Sequence, residues 1–487
     1  MSTRPRGLSS ILANAPAVNV RRVAPAFDVA DPAITGVTFD SRSVNPGDLF
    51  FAVRGEHLDG HDFVHAASTS GAAAVVVDHE VAVEPGVTQV VVDDTVAAMG
   101  WLAASFFGGP SNALTMVGIT GTNGKTTTAH IIECALGALG VRTGVIGTLS
   151  GSKTTPEATE LQRRLAEFRD DGFQAVAMEV SSHALALGRV IGTRYSVGIF
   201  TNLGRDHLDL HGTEEQYFAA KARLFAPSLT ARAVINIDDV HGRLLADAAE
   251  IPVTTFEFAD AGGVEIGPFE HSYTWRGERV RVGLGGRFNV MNTLAAATAL
   301  EVLGHAPADI AVALGSTTPV RGRFEPVVAG QDFAVVVDYA HTPDALAEVL
   351  VAARDIATRR GAGHRVIVVF GCGGDRDRDK RPQMGLAAAL SADQIVVTSD
   401  NPRSEDPATI INDIIEGVPA DYRGLIAVEP DRREAIAAAL RAAGAGDVVV
   451  IAGKGHETTQ TFGSTIVDFD DRAIALELLS TEQGRAQ

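Results

Sequence analysis

Two cysteines in 487 residues are too few for a disulfide framework or a four-cysteine zinc site. Cys134 lies in a helical pattern and Cys372 in a glycine-rich turn, as expected in a reducing cytoplasm. Long apolar runs are also missing. No uninterrupted stretch could span a bilayer, and Asn14, Pro16 and Asn19 break the apolar core that a signal peptide would need. Positive charge is scarce: Lys+Arg 41 against Asp+Glu 60 gives a net charge of -19. That balance argues against nucleic-acid and anionic-membrane partners and leaves room only for a local basic phosphate site. There is no internal repeat, and the Gly371–Gly374 turn lacks the GxGxxG spacing of a dinucleotide site. A soluble, cytoplasmic protein, monomeric by default, is the expectation.

The length suggests about three domains. Turn formers at Gly108-Gly109-Pro110-Ser111 and the segment Val320 to Glu325 divide the chain into residues 1–112, 113–322 and 323–487. The first unit has short strands at Leu49–Val53, Ala73–Val77 and Gln89–Val92. The other two alternate strands with helices, as parallel sheets require. The expected class is α/β in three domains: a small N-terminal α/β domain, a central P-loop ATPase-type parallel-sheet domain, and a C-terminal Rossmann-like doubly wound domain.

Gly118 to Thr128 reads GITGTNGKTTT. An apolar strand enters a glycine-containing turn that ends in Gly-Lys-Thr, and a helix follows. Backbone N–H groups of Gly121, Thr122, Asn123 and Gly124 and the helix N-terminus can cradle phosphates. Lys125 adds a point charge, Thr126 offers a hydroxyl to Mg²⁺, and Thr127 continues the cradle. Ile119 stands where a standard P-loop has its first glycine, so the loop is a variant.

The strand Ala175–Met178 ends in Glu179, which can reach a metal beside the phosphates. His207 and His211 follow the strand Val197–Phe200. In EEQYFAAKARLFA, Tyr217, Phe218, Leu224 and Phe225 form an apolar face that includes Lys221. Two readings of Lys221 stand: a snorkelling stem with its ammonium in water, or a desolvated amine of lowered pKa that reacts with CO₂ to give a carbamate. Asn289 and Asn292 lie three apart at a helix start, placed to read a nucleotide or to cap the helix. The stretch before them, up to Gly286, carries little pattern.

In the last unit, strands Ala334–Val337, Val366–Phe370, Gln394–Thr398 and Val448–Ile451 each run into a polar loop: DYAHTPD, GCGGDRDRDKR, SDNPRSEDP and AGKGHE. Arg376, Arg381 and Arg403 can pair carboxylates or phosphates and Glu457 can receive an ammonium, which together suit a zwitterionic amino acid.

GTNGKTTT, MEVSSHAL, TNLGRDHLDLHG, the Lys221 helix, GRFNVMN, GRFEP, DYAHTPD, GCGGDRDRDKRP, DNPR and GKGHE run through all three units and together resemble the Mur ligase family. The resemblance implies ATP-dependent addition of the third amino acid to UDP-MurNAc-L-Ala-D-Glu in peptidoglycan synthesis, through an acyl phosphate. By match to the family motifs, Lys125, Glu179, His207 and Lys221 are catalytic. Thr126, Glu179, His207 and carbamylated Lys221 hold Mg²⁺, of which two are expected. Asn289, Asn292, Arg323, Asp338 and His341 join the loop in binding ATP. Ser41 in the first unit takes the uridine end, and Thr154, Thr155, Ser181, Arg189 and Lys221 contact the muramoyl dipeptide. Arg376, Asn401, Pro402, Arg403, Gly453 and Glu457 form the amino-acid pocket. DNPR resembles the version associated with meso-diaminopimelate, with L-lysine, ornithine or another amino acid as the alternative acceptor. Two features depart from the family pattern: Leu187 stands where many relatives have glutamine, and the connection from Gly147 to Thr154 is short. A P-loop ATPase switch that moves a partner is the rival of another class.

Overall fold

The computed structural model describes residues 4–27, 31–55, 58–151, 153–206 and 208–486. His207 lies outside the described residues.

A six-stranded, wholly parallel sheet occupies the middle of the chain. Its order is Val253–Phe256, Ala233–Asn236, Val197–Phe200, Thr115–Thr120, Ala175–Glu179 and Thr143–Ile146. A sheet covered on both faces needs apolar residues on both, and these strands provide them. Val117 and Ile119 pack beneath Ile131, Ile132, Ala135 and Leu136 of the helix Lys125–Ala138, together with Val290 and Leu294 of the helix Arg287–Val302. Met116 and Met178 face the other way, onto Leu161 and Leu165 of Ala158–Asp170. Gly118 leaves room for Tyr195, whose ring lies 2.8 Å from where a Cβ would stand. Gly140, at φ +81, ends the loop helix, and Val141 N–H reaches back to Leu136 O.

The stretch before Gly286 is ordered. Gly262–Ile266, His271–Trp275 and Glu278–Val282 form an antiparallel sheet whose buried Tyr273, Trp275, Val280 and Val282 join the central core. Its alternation of buried and exposed residues is confined to five-residue strands, too short to stand out from a polar background.

Near the N-terminus a five-stranded sheet runs Val20–Ala24, Thr88–Val92, Ala74–Val77, Asp48–Phe51 and Gly36–Thr38, with its first pair antiparallel. The last sheet orders Glu325–Pro326, Ala334–Asp338, Val448–Ala452, Val366–Phe370, Gln394–Val397 and Ile426–Val428, parallel except for the first pair. A hairpin, Thr459–Phe462 with Thr465–Asp468, follows the Val448–Ala452 strand. Among the described residues no helix is long and apolar enough to cross a membrane.

Candidate active site

Neighbouring parallel strands bring their carboxyl ends to one edge of the sheet, and the central site grows from four of them. Thr120 opens into the loop, Glu179 closes its own strand, and Thr201 and Thr148 lie just beyond theirs. Gly121 adopts φ +150, and a Cβ there would stand 1.8 Å from Thr201 Oγ1, so glycine is required. Asn123 N–H donates to Asn202 Oδ1 at 2.9 Å and Thr122 N–H to Asn202 O at 2.9 Å, pinning the loop to the next strand end. Gly124 (φ +86) then starts the helix, aiming its N-terminus into the cleft.

Thr126 Oγ1 donates to Glu179 Oε2 at 2.9 Å and accepts from Arg323 Nη2 at 3.2 Å. Thr148 holds the same carboxylate, its N–H on Oε1 at 2.8 Å and its hydroxyl on Oε2 at 3.2 Å. Lys125 Nζ folds back onto Gly121 O and Thr122 O, both at 2.8 Å. Burial lowers its pKa against the pull of Glu179 and Asp206.

Lys221 is 1% exposed, which excludes snorkelling. Its Nζ donates to Gly121 O at 2.7 Å and lies 4.3 Å from the centre of the Tyr217 ring. Burial, reinforced by Lys125, holds its pKa well below the ordinary lysine value. The amine is therefore the desolvated group of the second reading. His211 is buried on the same helix bundle, Nε2 3.0 Å from Ser182 Oγ.

The C-terminal domain closes the cleft, which measures about 240 Å³ and is lined by Lys125, Thr126, Glu179, Lys221, Arg323 and His341 among others. Asp338 accepts Phe324 N–H at 2.6 Å and Ala340 N–H at 2.7 Å. It thereby holds Phe324 at φ +48, a conformation costly for an aromatic residue, and so fixes the backbone beside Arg323. Burial raises Asp338's pKa while Arg323 opposes the rise. The Arg323 guanidinium sits 4.4 Å from the centre of the Tyr339 ring. Burial, with Lys380 assisting, pushes His341 down to about 4, so its imidazole is neutral at pH 7. Asn289 Nδ2 ties to Gly285 O at 2.7 Å, and Asn292 Nδ2 donates to Asn289 Oδ1 at 3.0 Å while Asn292 lines the cleft.

Thr154, Thr155 and Ser181 lie near Glu179, and Arg189 Nη1 donates to Thr155 O at 3.3 Å. Thr154 Oγ1 lies 3.0 Å from Thr148 Oγ1, and Thr155 Oγ1 donates to Glu179 O at 2.9 Å. Ser181 caps the helix Ser182–Ala186. Arg189 pairs with Glu157 at 2.9 Å.

A second loop cluster forms at the edge of the C-terminal sheet. Asn401 Nδ2 donates to Glu457 Oε2 at 2.8 Å. Arg403, at φ +52, donates from Nη1 to Gly374 O at 2.5 Å. Gly453 lies 3.7 Å from Asp400 Oδ2, measured from where its Cβ would be, and Pro402 is buried while Arg376 is exposed. The guanidinium of Arg381 is spent within the fold: it is fully buried against Glu405 at 2.8 Å and Asp413 at 2.8 Å. It cannot offer itself to a substrate, a correction to its reading as a ligand for carboxylates or phosphates.

Residues 33–107 match the Mur ligase family, catalytic domain; residues 119–300 match the Mur ligase middle domain; residues 322–455 match the Mur ligase, glutamate ligase domain. A UDP-N-acetylmuramoyl-L-alanyl-D-glutamate--2,6-diaminopimelate ligase of Streptomyces coelicolor is 46% identical over 478 residues, covering 93% of each chain. The protein of that name from Geobacillus thermodenitrificans is 46% identical over 472 residues, covering 91% of this chain and 94% of its own. The chain belongs to the Mur ligase family. A solved structure of a 2,6-diaminopimelate ligase of the same name superposes with a TM-score of 0.64 at 34% identity, over 93% of this Mur ligase and 96% of the other chain.

Several residues of this Mur ligase escaped the motif reading. Thr148 makes two of the bonds to Glu179, yet a threonine after a short strand carries no sequence signal. Asn202 sits inside TNLGRDHLDLHG, where its place at a strand end could have marked it. Asp206 lines the cleft and acts on Lys125, Lys221 and His341. Ser41 lies on a short turn, Ser41–Ser43, and is not among the residues that line the cleft. Leu187 is 50% exposed at the end of the Ser182–Ala186 helix. Elsewhere His61, Asp78 and His79 approach one another as metal ligands do. Arg54 pairs with Asp78 at 3.2 Å and Asp59 at 3.3 Å, so the carboxylates already have a cation.

Proposed function

We propose that this Mur ligase joins a diamino acid, meso-diaminopimelate by preference, to the D-Glu carboxyl of UDP-MurNAc-L-Ala-D-Glu, cleaving ATP to ADP and phosphate in the cytoplasm. The observation that carries the reading is the convergence of Lys125, Thr126, Glu179, Lys221 and Arg323 on one cleft between two domains, with Arg403 and Glu457 in the loops of the second domain. The names of relatives at 46% identity across nearly the whole chain support it.

In this reading ATP lies with its phosphates on the loop amides and the helix N-terminus. Lys125 exchanges its two carbonyl contacts for phosphate oxygens, and Arg323 approaches from the C-terminal side. The substrate carboxylate attacks the γ-phosphorus, ADP leaves, and the acyl phosphate then loses phosphate to the attacking amine, whose proton passes to solvent. Thr126 Oγ1 and the Glu179 carboxylate are hard oxygen donors 2.9 Å apart, a donor set that fits Mg²⁺. With His207 and carbamylated Lys221 they would hold two ions, which supply neutralisation of the phosphate charge. Burial lowers the pKa of Lys221 and so favours the amine, whose lone pair CO₂ requires; the carbamate forms with release of one proton. Asn289, Asn292, Asp338 and His341 shape the nucleotide side. Thr154, Thr155, Ser181 and Arg189 take the muramoyl dipeptide, and Ser41 the uridine end.

The test is phosphate release with UDP-MurNAc-L-Ala-D-Glu and a panel of meso-diaminopimelate, L-lysine, ornithine and other amino acids. Release that needs both substrates and is fastest with meso-diaminopimelate is the expected result. Release without the muramoyl dipeptide would point instead to an ATPase switch. A preference for L-lysine or ornithine would reassign the acceptor.

A further inference from the structure

Lys454 is a buried cation beneath the C-terminal loops, and no substrate contact has been assigned to it. It is 0% exposed, an unusual state for a lysine, which is nearly always paired when fully buried. Its Nζ donates to Thr459 O at 2.6 Å, to Glu457 Oε2 at 3.2 Å and to Asn401 Oδ1 at 3.4 Å, and it lies 3.6 Å from Asp400 Oδ1. One ammonium thus joins the loop after Gln394–Val397, the loop after Val448–Ala452, and the first residue of the Thr459–Phe462 strand.

That strand in turn holds Arg403. Thr461 N–H donates to Asn401 Oδ1 at 3.1 Å, Arg403 N–H to Thr461 O at 3.0 Å, and Gly463 N–H to Arg403 O at 2.6 Å. Gln460 Nε2 adds bonds to Asp400 O at 2.8 Å and Ser399 O at 3.3 Å. From below, Arg432, buried against Asp471 at 2.7 Å, donates to Ala452 O at 2.9 Å and Ser399 O at 3.4 Å. The left-handed backbone of Arg403 is therefore fixed by a hairpin whose own origin hangs on Lys454.

We propose that Lys454 is a positioning residue for the amino-acid acceptor: its ammonium holds Asn401, Glu457 and, through the hairpin, Arg403 in the spacing that the acceptor requires. This rests on the function proposed above. The bonds from Asn401 and Lys454 both fall on Glu457 Oε2, and the side chain is 33% exposed, so Oε1 is the oxygen that an incoming ammonium reaches. Without Lys454, the carboxylates of Asp400 and Glu457 lose the ammonium that lies beside both, and Arg432, already paired with Asp471, is left as the nearby cation. Glu457 then swings to solvent and Arg403 loses its register.

The test is steady-state kinetics of wild type, Lys454→Met and Lys454→Gln, with each of the three substrates varied in turn and Tm measured in parallel. Lys454→Met should raise KM for meso-diaminopimelate by about tenfold or more. KM for ATP and for the UDP-linked substrate should hold, and kcat should fall less than KM rises. Lys454→Gln, which keeps a donor, should fall between. An active wild type with an unchanged meso-diaminopimelate KM in the variants overturns the role of Lys454 alone. Equal rises in all three KM values, or loss of the fold in both variants, overturn it in favour of a purely structural lysine. A wild type that releases no phosphate with any diamino acid overturns the proposed function and this inference with it.

Discussion

Thr126 Oγ1 and Glu179 Oε2 meet at 2.9 Å, the first from the opening turn of the helix Lys125–Ala138 and the second from the last residue of the strand Ala175–Glu179. Strand pairing sets the contact, because Glu179 is in register with Ile119, two residues before the loop glycine. A hydroxyl and a carboxylate are thus held side by side at the mouth of the helix N-terminus, with Thr148 fixing the carboxylate from behind.

Glu179→Gln keeps the shape of that side chain and removes its charge. The rate of phosphate release should fall by about a hundredfold or more, and more Mg²⁺ should be needed for half-maximal activity, with Tm little changed. An unaltered Mg²⁺ requirement would remove Glu179 from the metal-binding role.

Lys221→Ala should lose activity and regain part of it with added bicarbonate or short carboxylic acids, which restore the missing carboxylate. Absence of rescue would argue against the carbamate. Stability gives an independent reading. A lysine with its folded pKa below the unfolded value binds more protons when unfolded, so it destabilises the fold as pH falls below the unfolded value. Lys221→Met removes this cost and should raise Tm at pH 7 while abolishing ligation; an unchanged or lower Tm would show that the buried amine carries no such cost.

Arg403→Ala should raise KM for meso-diaminopimelate by about tenfold to a hundredfold and change use of L-lysine much less, because only the former carries a second carboxylate. Equal losses with the two amino acids would detach Arg403 from that carboxylate.

His271 is buried in the antiparallel sheet, with Nδ1 2.6 Å from Leu284 O, and burial pushes it from 6.5 down to about 4. The folded state keeps it neutral while the unfolded chain protonates it, so stability is lost as pH falls from about 6.5 towards 4. The loss approaches about 3 kcal/mol. Urea midpoints between pH 7 and 4.5, followed by tryptophan fluorescence that includes Trp275 on the same strand, should fall with pH. His271→Gln should flatten the slope; an equal slope would assign the acid loss to other groups.

The sequence by itself determined what depends on local pattern. The central strands are legible because a sheet covered on both faces demands continuous apolar runs, and the loop because a tight turn before a helix demands glycine at Gly121 and Gly124. Lys221 stood out because a charge interrupts an apolar helical face. Only the tertiary structure could decide what that lysine meets: Gly121 O lies 100 positions away, and burial depends on everything packed around it. The same holds for Arg381, whose motif reads as a free cation until Glu405 and Asp413 close on it. It holds too for Thr148, an ordinary residue in sequence, and for Lys454, whose motif GKGHE names no partner for it; both acquire partners because parallel strands bring their loops to one edge. Periodicity records which face of an element is buried; which polar groups share a site is set by strand order and register, which no short window of sequence contains.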